Sequence, residues 1–90
     1  MSAEGIGAPM DMDERIRELF ATLLQVALED IGDHTTPTNL ERWDSLQHLI
    51  VVAGFEEEFR IDVDPEEAVE MYTDFATFKK IMRRRMESGR

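Results

Sequence analysis

Ser45 stands in the run Trp43-Asp44-Ser45-Leu46-Gln47-His48, between an aspartate and a long apolar stretch. A serine hydroxyl there supports two kinds of chemistry. One is structural, because serine is common at helix starts for capping alone. The other is covalent. Asp44 already supplies a cap, with Gln47 at capping-box spacing, so the Ser45 hydroxyl is left free at the first helical turn. A phosphate ester on it would sit where backbone N–H groups and the helix dipole favour negative charge. Spacing alone does not choose between the two. His48 lies three residues on, within one helical turn of Ser45. A catalytic triad also needs an orienting acid and an oxyanion hole, and neither is recognisable.

The other chemistry-bearing residues read as structural. His34 and His48 are the only histidines and the chain has no cysteine. That excludes disulfide staples, thiolate zinc sites and a cysteine nucleophile, and both histidines are expected to be exposed. The stretch from Asp62 to Glu67, "DVDPEE", invites a calcium reading that fails on its own count. The sixth and twelfth positions from Asp62 are Glu67 and Thr73, where the loop needs glycine and glutamate. Met71, Met82 and Met86 fit as gap fillers in a core, and Trp43 as the anchor of the segment before it. Glu56, Glu57 and Glu58 form a solvated face or a binding edge. No catalytic residue and no metal ligand is expected, so the chain is not read as an enzyme.

Helices must position these groups. Residues 1–10 carry glycines and a proline without apolar periodicity and read as a flexible leader, residues 11–87 as the domain, and residues 88–90 as a flexible tail. Nothing in the first residues reads as a secretion signal. A first helix is expected over 12–29, opened by Asp11 and Glu14 at capping-box spacing, with Ile16, Leu19, Phe20, Leu23 and Ala27 as its apolar stripe and Gly32 as its stop. "DHTTPTNLER", residues 33–42, consists of turn formers and reads as a long ordered loop pinned by Leu40 that delivers Trp43, Asp44 and Ser45. The second helix should run to about Arg60 with Leu46, Leu49, Ile50, Ala53 and Phe59 in a buried stripe. Val51, Val52 and Phe55 widen its apolar surface toward a partner. Gly54 costs about 1 kcal/mol relative to alanine in a helix interior, a cost that close packing against another helix would offset. Asp64, Pro65 and Glu67 start a short third helix. Thr73 or Asp74 starts a last one that turns Phe75, Phe78, Ile81, Met82 and Met86 inward. Its bases, Lys79, Lys80 and Arg83 to Arg85, suit the negative end of its dipole. The fold class is all-α: three main helices plus one short helix, with a long loop between the first and second.

Ninety residues support one small domain, with 42% hydrophobic and 33% charged residues, a composition suited to a folded chain. No apolar run is long enough to span a bilayer, and a cytoplasmic monomer is the expectation. The net charge of −10 argues against nucleic acid as a partner, since phosphates would be repelled. Its distribution is uneven: residues 1–28 hold five acids and two bases (−3), residues 29–74 fourteen acids and two bases (−12), residues 75–90 one acid and six bases (+5). The middle of the chain is an acidic face that suits basic partner surfaces, with steering that salt should weaken.

With Asp44-Ser45-Leu46 at the head of the second helix, "EEEF" at Glu56 to Phe59, "DPEEA" at Asp64 to Ala68 and the long loop before the serine, the chain resembles the acyl carrier proteins over about residues 13–86. The resemblance implies an acyl-carrier-like bundle and a 4′-phosphopantetheine group, taken from coenzyme A, on Ser45. It implies acyl groups held as thioesters on that arm, and no catalysis by the carrier itself. Implied partners are a phosphopantetheinyl transferase and acyl-loading and acyl-processing enzymes with basic docking surfaces. Asp44, Leu46, Gln47, Ile50, Glu56 and Glu57 are the implied partner-binding residues, and the apolar interior between the second and third helices is the implied shelter for a growing chain. Gln47 and Ile50 stand where typical fatty-acid carriers are often acidic, which points to a dedicated, freestanding carrier of a specialised lipid, polyketide-like or peptide-like pathway. The alternative is a non-covalent helical module of the same fold that binds a basic partner through its acidic second helix.

Overall fold

Residues 11–88 are described by the computed structural model, and four α-helices carry them. These are α1 (Met12–Leu24), α2 (Ser45–Phe59), α3 (Pro65–Met71) and α4 (Phe75–Ser88), with a short 3-10 turn at Leu28–Asp30. No strand occurs among the described residues. The all-α arrangement of three main helices, one short helix and a long first loop is the one expected. The expected leader, 1–10, and Gly89 and Arg90 of the expected tail lie outside the described residues, while Ser88 closes α4.

Local chemistry sets the helix starts. The Asp11 carboxylate accepts from the Glu14 N–H at 2.9 Å, Asp44 from Gln47 at 2.8 Å and Asp74 from Thr77 at 2.8 Å. At α3 the Glu67 carboxylate reaches back to the Asp64 N–H at 3.1 Å. The ends are less regular. α1 stops at Leu24, well before residue 29, because Gln25 turns into the left-handed region at φ 61°. Its N–H returns to the carbonyls of Ala21 and Thr22, and Arg42 Nε donates to the freed Leu24 carbonyl at 3.0 Å. A terminating residue was present, but it was not glycine.

α2 buries a different face from the one expected. His48, Val51, Val52 and Phe55 point inward, at the i, i+3, i+4, i+7 spacing of one helical stripe. Leu46, Leu49 and Ile50 are 64%, 61% and 47% exposed. The helix is apolar on almost every side, so packing decided the rotation. A histidine at the head of the inner stripe hid it from the sequence reading. At Gly54 an added Cβ would lie 2.8 Å from Leu23 Cδ1, so glycine does permit the close approach of α1 and α2.

The core is an aromatic stack. Phe20 of α1 sits 4.8 Å from both Phe75 and Phe78 of α4 and 5.0 Å from Trp43, measured between ring centroids. Phe55 of α2 joins it through Phe78 at 5.1 Å. The edge-to-face pairs among them, Phe20 with Trp43 and with Phe78 and Phe55 with Phe78, contribute roughly 0.5–1.5 kcal/mol each beyond their buried area.

The first loop is bonded throughout its length. Arg17 reaches the carbonyls of Ile31 at 2.7 Å and Leu28 at 3.0 Å. Thr35 is buried; its hydroxyl takes the Gly32 N–H at 2.9 Å, and its carbonyl takes the Phe75 N–H of α4 at 2.8 Å. α3 is held by Arg85, whose guanidinium pairs with Glu67 at 2.8 Å and Asp64 at 3.0 Å. Partial burial raises the Glu67 carboxyl pKa, but the Arg85 and Asp64 hydrogen bonds outweigh it and the net shift is downward.

Arg60 ends α2 in the left-handed region at φ 56°, where a Cβ is unfavourable. Arg60→Gly should therefore raise stability by about 0.5–1 kcal/mol, the relief of left-handed strain exceeding the extra entropy of glycine. The check is a higher urea midpoint at unchanged slope; a lower midpoint would show that the arginine side chain contributes more than the strain costs.

Candidate functional site

Ser45 is the first residue of α2 and is exposed. Its position follows from its neighbours on both sides. Trp43 is fully buried, so the chain must turn outward directly after it. Asp44, with extended backbone, spends its carboxylate on the Gln47 N–H. That leaves the first N–H groups of the helix at the tip beside the serine hydroxyl. The cap is made by the aspartate, and the serine is not needed for it.

His48 is not exposed, contrary to expectation: only 4% of it is accessible. Its ring joins two groups that would otherwise be buried and unpaired. The Trp43 indole Nε1–H donates to His48 Nδ1 at 3.0 Å, and His48 Nε2 lies 2.7 Å from the Ala68 carbonyl. Because the indole is only a donor and the carbonyl only an acceptor, the ring must be neutral and carry its proton on Nε2. Burial pushes its pKa below the ordinary 6.5, with the Ala68 carbonyl opposing in part. Both ring nitrogens are engaged, so His48 is unavailable as a base for Ser45. His34, by contrast, is exposed as expected.

Between α2 and α3 runs a groove of about 350 Å³ lined by Ser45, His48, Leu49, Pro65, Ala68, Val69 and Tyr72. Its surface is almost wholly apolar, and Ser45 sits on its rim. Val69 is 75% exposed, so the groove opens to solvent along its length. The resemblance implies an apolar shelter between the second and third helices but does not name these lining residues. Leu49, four residues after Ser45, was the one local clue to it, because residues so spaced share a helix face. Val69 and Tyr72 come from a separate element and carry no such signal.

The expected partner-binding residues divide. Asp44, Leu46, Ile50 and Glu57 are exposed and Gln47 half-buried. Leu46, Ile50 and Glu57 share a helix face with Ala53, at spacings of three and four. Glu56 differs. It is half-buried, and its carboxylate accepts from the Val63 N–H at 2.8 Å, holding the connection to α3. Among the described residues no cluster of three metal-ligating side chains occurs, and no helix is long and apolar enough to cross a membrane.

The arrangement suits a covalent anchor. An exposed hydroxyl at a helix N-terminus can take a phosphate ester, and an apolar groove starts at its side. In a comparison with known families, the chain matches the model described as "Phosphopantetheine attachment site" over residues 14–81. A search of curated proteins finds no match.

The tautomer of His48 makes stability depend on pH. Below about pH 6.5 the unfolded chain takes up a proton on this ring that the folded chain refuses. The contribution is present above that pH and is lost as the pH falls through it toward the depressed folded value. His48→Gln keeps an acceptor and a donor but cannot titrate. Urea unfolding from about pH 8 to about pH 5 should show the parent losing more stability than the variant; parallel curves would contradict the buried neutral ring.

Proposed function

The chain belongs to the phosphopantetheine attachment site family, that of the acyl carrier proteins, and from this premise we propose that Ser45 bears the prosthetic group and that the chain presents acyl groups to partner enzymes. Family membership makes it a carrier of covalent 4′-phosphopantetheine, and carrier domains of this kind are not themselves catalytic. The observation that carries the Ser45 assignment is its exposure at the tip of α2, on the rim of the apolar groove. When bound, the group supplies the thiol that this cysteine-free chain lacks and on which acyl groups ride as thioesters.

Ser45 contributes its Oγ. In transfer from coenzyme A the hydroxyl loses its proton to the transferase and bonds to the pantetheine-side phosphorus. The nucleotide half leaves with the bridging oxygen of the diphosphate. The first-turn N–H groups of α2 favour the resulting phosphate diester at that position. Pro65, Ala68, Val69 and Leu49 supply apolar surface along which the arm can lie.

Leu46 and Ile50 are large, exposed apolar side chains beside the attachment point. Such residues rimmed by polar ones mark interaction surfaces, and here the rim is acidic. Asp44 and Glu57 steer basic partner surfaces, first the phosphopantetheinyl transferase and then the acyl-loading and acyl-processing enzymes. Glu56 is engaged with Val63 and contributes charge but less contact. The outer face, with Gln47 and Ile50 in place of acids, supports service in a specialised lipid, polyketide-like or peptide-like pathway.

Incubation with coenzyme A, magnesium and a broad-specificity phosphopantetheinyl transferase should add one phosphopantetheine per chain by intact mass, and none to Ser45→Ala. An unmodified parent, under conditions that load a control carrier, would favour a non-covalent module instead. Glu57→Lys should slow association with the transferase several-fold at low salt, with helix content unchanged and the difference fading as salt rises. Equal rates at low salt would remove Glu57 from the docking face.

A further inference from the structure

The groove beside Ser45 has a floor, and the floor is polar on its hidden side. His48 closes it from α2 and Tyr72 from the end of α3, their rings 5.0 Å apart. Directly behind them Trp43 is fully buried, 5.9 Å from Tyr72 and 6.0 Å from His48. Trp43 in turn meets Phe20 at 5.0 Å. A chain entering between α2 and α3 has to part these rings and break the bonds from Trp43 to His48 and from His48 to Ala68. It would offer nothing in return, since an alkyl chain cannot pair with the indole N–H or the carbonyl left behind.

We propose that the Trp43–His48–Ala68 strap keeps cargo out of the core, so that acyl groups of any length lie in or beyond the outer groove between Leu49 and Val69, open to partner enzymes. The inference rests on the reading of Ser45 as the attachment point. It reverses the expectation that the interior between the second and third helices shelters a growing chain. Leu49 and Val69 form walls that are 61% and 75% exposed. A group lying between them stays within reach of a partner enzyme. Each methylene beyond the groove remains in water, so longer chains gain no protection from this protein.

The test is a chain-length series on the loaded protein. Acetyl, hexanoyl and dodecanoyl thioesters are prepared on the holo form and followed by hydroxylamine cleavage and by the NMR resonance of the Trp43 indole N–H. Cleavage rates should agree within about two-fold across the series, and the indole resonance should not move, because a ligand outside the core neither shields the thioester nor displaces the strap. Dodecanoyl cleavage slowed about ten-fold or more, or an indole resonance that shifts with chain length, would overturn the proposal. His48→Ala, where circular dichroism shows it folded, should introduce the chain-length dependence that the parent lacks, whereas His48→Gln should behave as the parent. If His48→Ala does not fold, the parent series decides alone. An unshifted mass at the loading step would instead mark failure of the Ser45 assignment. Ser45→Cys then provides the only thiol in the chain, and alkylation with hexyl and dodecyl iodoacetamides puts the same question to the groove.

Discussion

The indole N–H of Trp43 sets a constraint on which the first loop, α2 and α3 all depend. Trp43 is fully buried, and an unpaired donor there would cost about 1–3 kcal/mol. Its partner is His48, whose second nitrogen then has a proton to place, and that proton goes to the Ala68 carbonyl. Ala68 lies in the last turn of α3, where backbone carbonyls lose their intrahelical partners. One imidazole thus satisfies the loop's indole and caps a seven-residue helix too short to be stable alone. Loop, α2 and α3 are tied at one point. Breaking that point leaves two buried groups unpaired, so the three segments hold or loosen together.

From that constraint the exposure of Ser45 follows. Trp43 inside and His48 inside, five residues apart, fix where α2 begins and which way it is rotated. With His48, Val51, Val52 and Phe55 committed to the core, Leu46, Ile50 and Ala53 must face out, and Ser45 must stand at the tip beside the groove. The docking face is therefore the complement of the core stripe. An apolar helix with no strong period of its own has acquired direction from the packing of that stripe and from the polar contact at its head.

This also explains what could be read from the chain and what could not. Asp11 and Asp44 were legible as helix starts because capping joins residues three apart, whereas the start of α4 was legible only as Thr73 or Asp74, and the structure gives the cap to Asp74. Ser45 was legible as a candidate for the same reason, since Asp44 left it spare. The end of α1 was not, because Gln25 adopts a left-handed conformation that sequence rules assign to glycine or asparagine. The buried face of α2 and the burial of His48 were not either. They depend on Ala68, twenty residues away, and on Tyr72 and Phe78, contacts that no local period encodes. The groove combines α2 with α3 and shares that obscurity.

Charge completes the arrangement by where it is used up. The bases of α4 suggested dipole compensation, yet they serve as stitches. Lys79 pairs with Asp33 at 2.8 Å, Arg83 with Asp13 at 3.1 Å and Arg85 with Asp64 and Glu67, reaching the first loop, α1 and α3 in turn. The Lys79–Asp33, Arg83–Asp13 and Arg85–Asp64 pairs each have an exposed partner and contribute little to stability, while Arg85–Glu67 is partly buried. Their effect lies more in the field they leave, since Lys79 and Arg83 are set against acids of the first loop and α1, and Arg85 against acids at the start of α3. Asp44 and Glu57 are exposed and have no cationic partner among the described residues. An approaching protein consequently meets uncompensated negative charge around the hydroxyl and an apolar stripe beneath it, and a surface that docks there must be basic at its edge and apolar at its centre.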